Sequence, residues 1–267
     1  MKTLNTINSK TIVFVTGAFV SHHGWAEWQK YFEAKGYRTL APAWIGKEGT
    51  PQELRALHPN NQVLADLTLG ELIDHYANII KALPEKPIII GHSLGGLMTQ
   101  VLLDRGLAAA AIVVDSVPPQ GILPYEFSFL KAGWKSLGLF TSMKKTYLMS
   151  FKDWQYAFVN GMNLEDQKKA YEENTIPESK RVARGGLTSA ARVDFNRERA
   201  PLLMIAGTTD NIIPAHLNRR NFKAYAKNTK SITDFAEFDH NHFVVGLPNF
   251  KRVTDYISTW IDKHSAA

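Results

Sequence analysis

Apolar runs rich in β-branched residues alternate along this chain with segments whose apolar residues recur at helical spacing, a pattern that predicts a parallel sheet with helices on both faces. Thr11 to Phe19 (TIVFVTGAF) reads as a buried strand ending in a turn. Trp25 to Lys35 follows as a helix that Gly36 stops, and Tyr37 to Trp44 reads as a second strand. Between Leu69 and Leu83 the residues Leu69, Leu72, Ile73, Tyr76, Ile79, Ile80 and Leu83 fall on one helical face, with Pro84 and Pro87 closing the element. Pro87 to Ile90 is a short buried strand that runs into GHSLGG at 91–96, and a helix is expected from Leu94 to about Arg105. Ala109 to Asp115, Pro201 to Ala206 and Ser231 to Phe238 supply the fourth, fifth and sixth strands, before a closing helix over about 250–264.

One stretch interrupts this alternation. Residues 118–199 carry no buried strand and are rich in aromatics, among them Tyr125, Phe127, Phe129, Trp134, Phe140, Tyr147, Phe151, Trp154, Tyr156 and Phe158. Such a length is too great for a plain connection between strands. The expectation is a core of residues 1–117 and 200–267 with a helical lid, residues 118–199, inserted after the fourth strand.

Composition narrows the chemistry. The 267 residues are 45% apolar, enough for a sizeable core. They include no cysteine, so disulfides, a thiol nucleophile and a Cys-based zinc site are excluded. The net charge of +6 invites a nucleic-acid partner. The basic residues are scattered among acidic ones, however, which favours a solvated surface and no nucleic acid. The first ten residues are polar, without the apolar stretch of a signal peptide, and no run approaches the roughly 20 apolar residues of a membrane span. A cytoplasmic protein without a membrane partner is expected; its oligomeric state is left open.

Gly91-His92-Ser93-Leu94-Gly95 is G-x-S-x-G set between a predicted strand and a predicted helix, the context a nucleophile elbow needs. Ser93 is the candidate nucleophile. A serine hydroxyl needs a base that an acid orients. Asp210 ends the strand-and-turn run from Pro201 and is the preferred acid; Asp115, after the fourth strand, is its rival. The base lies in Phe238-Asp239-His240-Asn241-His242-Phe243, with His242 preferred over His240 because it stands farther into the loop. A His-x-His metal pair is a third reading, but no carboxylate cluster completes it, so neither metal nor cofactor is expected. Oxyanion donors are expected from the backbone N–H of Leu94 and from the loop Thr16-Gly17-Ala18-Phe19, with Ala18 first and Phe19 second.

These features together, TGAF at 16–19 with Trp25 and Trp28 downstream, GHSLGG at 91–96, AGTTDNIIP at 206–214 and HNHFVVGLP at 240–248, resemble the α/β-hydrolase superfamily across nearly the whole chain. The likeness is to small bacterial esterase-like members and to the plant methylesterase and hydroxynitrile lyase group. It implies Ser93, Asp210 and His242 as a triad and Ala18 and Leu94 as the oxyanion hole. Thr16-Gly17 stands where many relatives have His-Gly, and the usual leading antiparallel hairpin is missing, so six parallel strands are expected. Serine at 93, where dehalogenase and epoxide hydrolase relatives carry aspartate, points to acyl transfer. The expected function is hydrolysis of a small-molecule carboxylic ester or lactone. Hydroxynitrile lyase or cofactor-free perhydrolase chemistry at the same residues is the first alternative, and a non-catalytic small-molecule receptor the second.

Overall fold

The computed structural model describes residues 5–138 and 140–265. In chain order the core opens with β1 (Thr11–Val15), α1 (Ala26–Glu33), β2 (Arg38–Leu40), α2 (Pro51–Ala56), α3 (Gln62–Asp66) and α4 (Leu69–Lys81). It continues through β3 (Ile88–His92), α5 (Leu94–Asp104) and β4 (Ala110–Val114). The inserted stretch contains α6 (Phe127–Gly133), α7 (Phe151–Ala157), α8 (Leu164–Asn174) and α9 (Lys180–Gly185). The chain then returns through β5 (Leu202–Gly207), α10 (Ala215–Tyr225), β6 (Thr233–Phe238) and α11 (Lys251–His264). The six strands form one sheet in the order β2-β1-β3-β4-β5-β6, every pair parallel, as the alternation predicts.

The strand period of two divides the core. Val13, Val15, Ile89, Ala111, Val113, Leu202 and Met204 face one way, onto Leu72, Ile73, Tyr76 and Ile80 of α4 and Leu97, Met98 and Val101 of α5. Ile12, Phe14, Ile88, Ile90, Ile112, Val114, Leu203 and Ile205 face the other way, onto Trp28 and Phe32 of α1 and Val253, Ile257, Trp260 and Ile261 of α11. The four central strands are therefore buried along both faces, which is why they read as continuous apolar runs. At its N-terminus α4 has a capping box, in which Thr68 and Glu71 satisfy each other's backbone N–H groups.

Four expectations change. β2 covers three residues rather than the stretch from Tyr37 to Trp44; Pro42, which cannot donate to a ladder, follows it closely. α2 and α3 fall where no apolar period was visible, although Thr50, Pro51 and Glu53 spell a capping box with proline at the first turn. α10 is likewise absent from the apolar pattern, because its buried face includes Asn218 and Asn221. The aromatics of the insertion also divide. Phe158 and Trp154 are buried in a third cluster with Phe19, Met149 and Phe243, against which Tyr147 and Phe151 pack, whereas Tyr125, Phe127, Trp134 and Phe140 are exposed and α6 buries no residue. No helix among the described residues is long and apolar enough to cross a membrane.

Candidate active site

Parallel strands bring their C-terminal ends to one edge of the sheet, and there the chemistry-bearing residues gather. Ser93 follows β3, Asp115 follows β4, Asp210 follows β5, and His240 and His242 follow β6. Ser93 is the hinge between β3 and α5, at φ 58° and ψ −123°, a conformation that costs a non-glycine residue about 1–3 kcal/mol. Its backbone is pinned in place: its N–H donates to the Val114 carbonyl at 3.0 Å, and its carbonyl accepts from Val117 at 3.1 Å. The turn requires glycine behind it, since a Cβ at Gly95 would stand 2.0 Å from the Val15 carbonyl oxygen.

His242 lies between the serine and an acid. Its Nε2 is 2.9 Å from Ser93 Oγ, and its Nδ1 is 2.6 Å from Asp210 Oδ2. Asp210 is fixed by its other oxygen, which accepts from the backbone N–H groups of Ile212 at 2.6 Å and Ile213 at 2.9 Å. Both carboxylate oxygens thus have donors, and one orientation of the imidazole satisfies the set. The side chains of His242 and Asp210 are fully buried, where an ion pair or hydrogen bond is least screened.

The rival pair stands beside this line. Asp115 Oδ1 accepts from the Gly207 N–H at 2.6 Å, while Oδ2 lies 3.4 Å from His240 Nδ1 and has no hydrogen-bond partner among the described residues. Burial, and then the neighbouring charge of Asp210, push the Asp115 carboxyl well above the usual carboxylate range. His240 turns its Nδ1 toward the Asn241 carbonyl at 3.0 Å, and its burial lowers its pKa. His92, the residue before the serine, packs its ring 4.7 Å from that of His242 and is held well below the ordinary histidine range by burial. Nitrogen and oxygen atoms of His92, Asp115 and His242 come within 4.8 Å of one another. They make a poor metal site, because both ring nitrogens of His242 are already committed to Ser93 and Asp210.

The loop after β1 comes up against the serine from the other side. A Cβ at Gly17 would stand 2.9 Å from both Ser93 Cβ and the His92 carbonyl oxygen, so only glycine allows the approach. The Trp44 indole donates to the Thr16 carbonyl and the Trp25 indole to the Thr16 hydroxyl, each at 3.1 Å. Of the two candidate donors in the loop, Phe19 is taken: its N–H donates to Glu178 Oε2 at 2.9 Å. The N–H groups of Ala18 and Leu94 donate to no acceptor among the described residues. No motif or spacing pointed to Glu178, since it and the loop come together only in three dimensions.

Apolar side chains close over these groups. The Phe158 ring meets His242 edge-on at 5.0 Å and stacks on Trp154 at 4.1 Å. Ser93 is 6% exposed, and the cavity lined by Gly17, His92, Phe158 and Phe243 measures about 20 Å³, the space of a single water. Side-chain amides join the insertion to the loops after β5 and β6: Asn211 donates to the Tyr156 carbonyl at 3.0 Å, Asn160 to Thr209 at 2.8 Å, and Asn241 to Asn160 at 2.9 Å.

The sequence profile of the alpha/beta hydrolase family matches residues 12–250. No curated protein sequence matches the chain. Among solved structures, an extracellular alpha/beta-hydrolase from a Paenibacillus species, described as sharing structural and functional homology with tobacco salicylic acid binding protein 2, superposes with a TM-score of 0.68 at 16% identity, covering 93% of this chain and 98% of its own. A monoacylglycerol lipase from Paleococcus ferrophilus gives 0.66 at 20% identity, with 97% of each chain covered. A methylesterase from Arabidopsis gives 0.66 at 16% identity, covering 94% of this chain and 98% of its own.

Proposed function

The chain belongs to the alpha/beta hydrolase family, and from that premise we propose that it is a serine hydrolase of small-molecule carboxylic esters or lactones, working through an acyl-enzyme on Ser93. The observation that carries the reading is the unbroken line of hydrogen bonds from Ser93 Oγ through both nitrogens of His242 to Asp210. The lipase and methylesterase among the similar structures act on the same class of bond and lend support.

The steps follow from the contacts. With Nδ1–H donating to Asp210, Nε2 of His242 accepts the Ser93 proton as Oγ bonds to the ester carbonyl carbon. The charge that develops on the carbonyl oxygen meets the N–H groups of Ala18 and Leu94, the second at the N-terminal end of α5. His242 returns the proton to the leaving alkoxide and the carbon–oxygen bond breaks. Water then gives a proton to His242 as it attacks the acyl carbon. Ser93 leaves with that proton, and the acid is released. Each step uses side chains, backbone and water alone.

The insertion acts as the lid. Ser93 is almost fully buried and the Phe158 ring packs edge-on against His242, so an ester enters when Phe158 and its neighbours move. The apolar cluster that Phe158 brings against His242, with Phe19, Met149 and Phe243, suits an uncharged acyl or aryl group. The test is a fluorophosphonate probe together with a panel of esters of varied acyl and alcohol size. Labelling of Ser93 and turnover that disappear in Ser93→Ala are expected. A folded wild-type protein that takes no label would sink the mechanism.

A further inference from the structure

Glu178 lies between α8 and α9 of the insertion, in sequence far from every residue that touches Ser93, yet it reaches the loop that carries the oxyanion donor. Oε2 accepts from the Phe19 N–H at 2.9 Å and from Lys47 Nζ at 2.6 Å, while Oε1 accepts from the Ser179 N–H at 2.8 Å. Lys47 Nζ also sits 3.6 Å above the ring of Trp44, whose indole holds Thr16. Side-chain exposure is 3% for Lys47 and 1% for Glu178. Neighbouring backbone completes the grip: Ile176 N–H donates to the Phe19 carbonyl at 2.9 Å, and Glu178 and Tyr147 exchange backbone hydrogen bonds at 2.7 and 2.9 Å.

Two physical points make this more than packing. A buried ion pair is a poor source of stability, because desolvating two charges offsets most of their attraction. Phe19, moreover, adopts φ 67°, which a bulky residue takes only where its surroundings impose it. That turn sends the Phe19 N–H away to Glu178 and leaves the adjoining Ala18 N–H without an acceptor among the described residues.

We propose that Glu178, kept in place by Lys47, is a positioning residue for catalysis: by holding the Phe19 N–H it sets the oxyanion loop so that Ala18 N–H meets the reacting oxygen. This inference rests on the serine-hydrolase reading. It makes the lid segment a working part of the oxyanion site as well as a cover for it.

Two double variants test it, neither leaving a buried charge unpaired. Lys47→Met with Glu178→Gln keeps an amide oxygen to accept from Phe19; Lys47→Met with Glu178→Leu does not. The glutamine double is expected to keep kcat within about threefold of wild type. The leucine double is expected to lose about 10- to 100-fold in kcat with KM little changed, a partial loss of one oxyanion donor. Its melting temperature should fall somewhat below that of the glutamine double, because the buried Phe19 and Ser179 N–H groups lose their acceptor, and amide exchange at Ala18 and Phe19 should accelerate. Equal kcat and equal exchange in the two doubles would overturn the inference while an active wild type upholds the reading beneath it. A wild type that neither labels nor turns over an ester would remove both.

Discussion

Two acid–histidine pairs lie side by side at the edge of the sheet, and they differ in connection rather than in residue type. Asp210 and His242 are joined at 2.6 Å, and the far nitrogen of that histidine reaches Ser93. Asp115 and His240 stand 3.4 Å apart, and the His240 Nε2 has no partner among the described residues. Asp210 has donors on both oxygens, whereas Asp115 has one backbone donor, and burial and then the charge of Asp210 favour its protonated acid. The comparison teaches that nearness to Ser93 does not by itself link a group to it; the bonds that each group already makes do.

Substitutions can break that contrast. Asp210→Asn removes the charge that stabilises the imidazolium and favours the wrong tautomer, so kcat should fall about 10³- to 10⁴-fold. Steady-state kinetics on the best ester of the panel measures this, and a loss below tenfold would mean that Asp115 takes over. Asp115→Asn should cost less than about tenfold in kcat, since the Gly207 N–H keeps an acceptor. Its clearer effect is on stability against pH. An acid whose pKa is raised in the folded state adds stability that is fully present below its unfolded pKa near 4 and is lost as pH rises through the folded value. Thermal melts from pH 4 upward should therefore decline less steeply in Asp115→Asn than in wild type; parallel curves would show that Asp115 is ionised in the fold. His240→Gln is the smallest change, with kcat within about threefold, because its ring faces its own loop and Asp115 and makes no bond to Ser93. A loss approaching that of Asp210→Asn would erase the distinction between the pairs.

How much of this was legible in the sequence depends on the kind of signal. The central strands were visible because burial on both faces leaves an unbroken apolar run, as in Ile88–Ile90 and Leu202–Ala206. Ser93 was visible because the elbow needs glycines at fixed offsets, and Asp210 because a strand and turn lead to it. The sequence favoured His242 over His240 only by its place farther into the loop: they are two residues apart, and the direction of each ring is what separates them in the fold. α10 was hidden because its inner face is polar, with Asn218 accepting from the Ser116 N–H at 3.1 Å and Asn221 donating to Gln100 at 3.1 Å. Lys47 and Glu178 were beyond reach for another reason. A salt bridge between distant segments leaves no periodicity, and each residue alone reads as solvated surface.

The ladder between β4 and β5, in which Ala111 pairs with Leu202, also governs how the chain finds its shape. Pairing these strands closes a loop of roughly 90 residues. The entropy of closure grows only with the logarithm of loop length, so this costs about 2 kcal/mol more than a ten-residue connection would. The sheet can thus tolerate the insertion, and changes in its length, with little loss of equilibrium stability. Speed is another matter: contacts between distant residues delay folding, and the two halves of the sheet must wait for each other across the whole insertion.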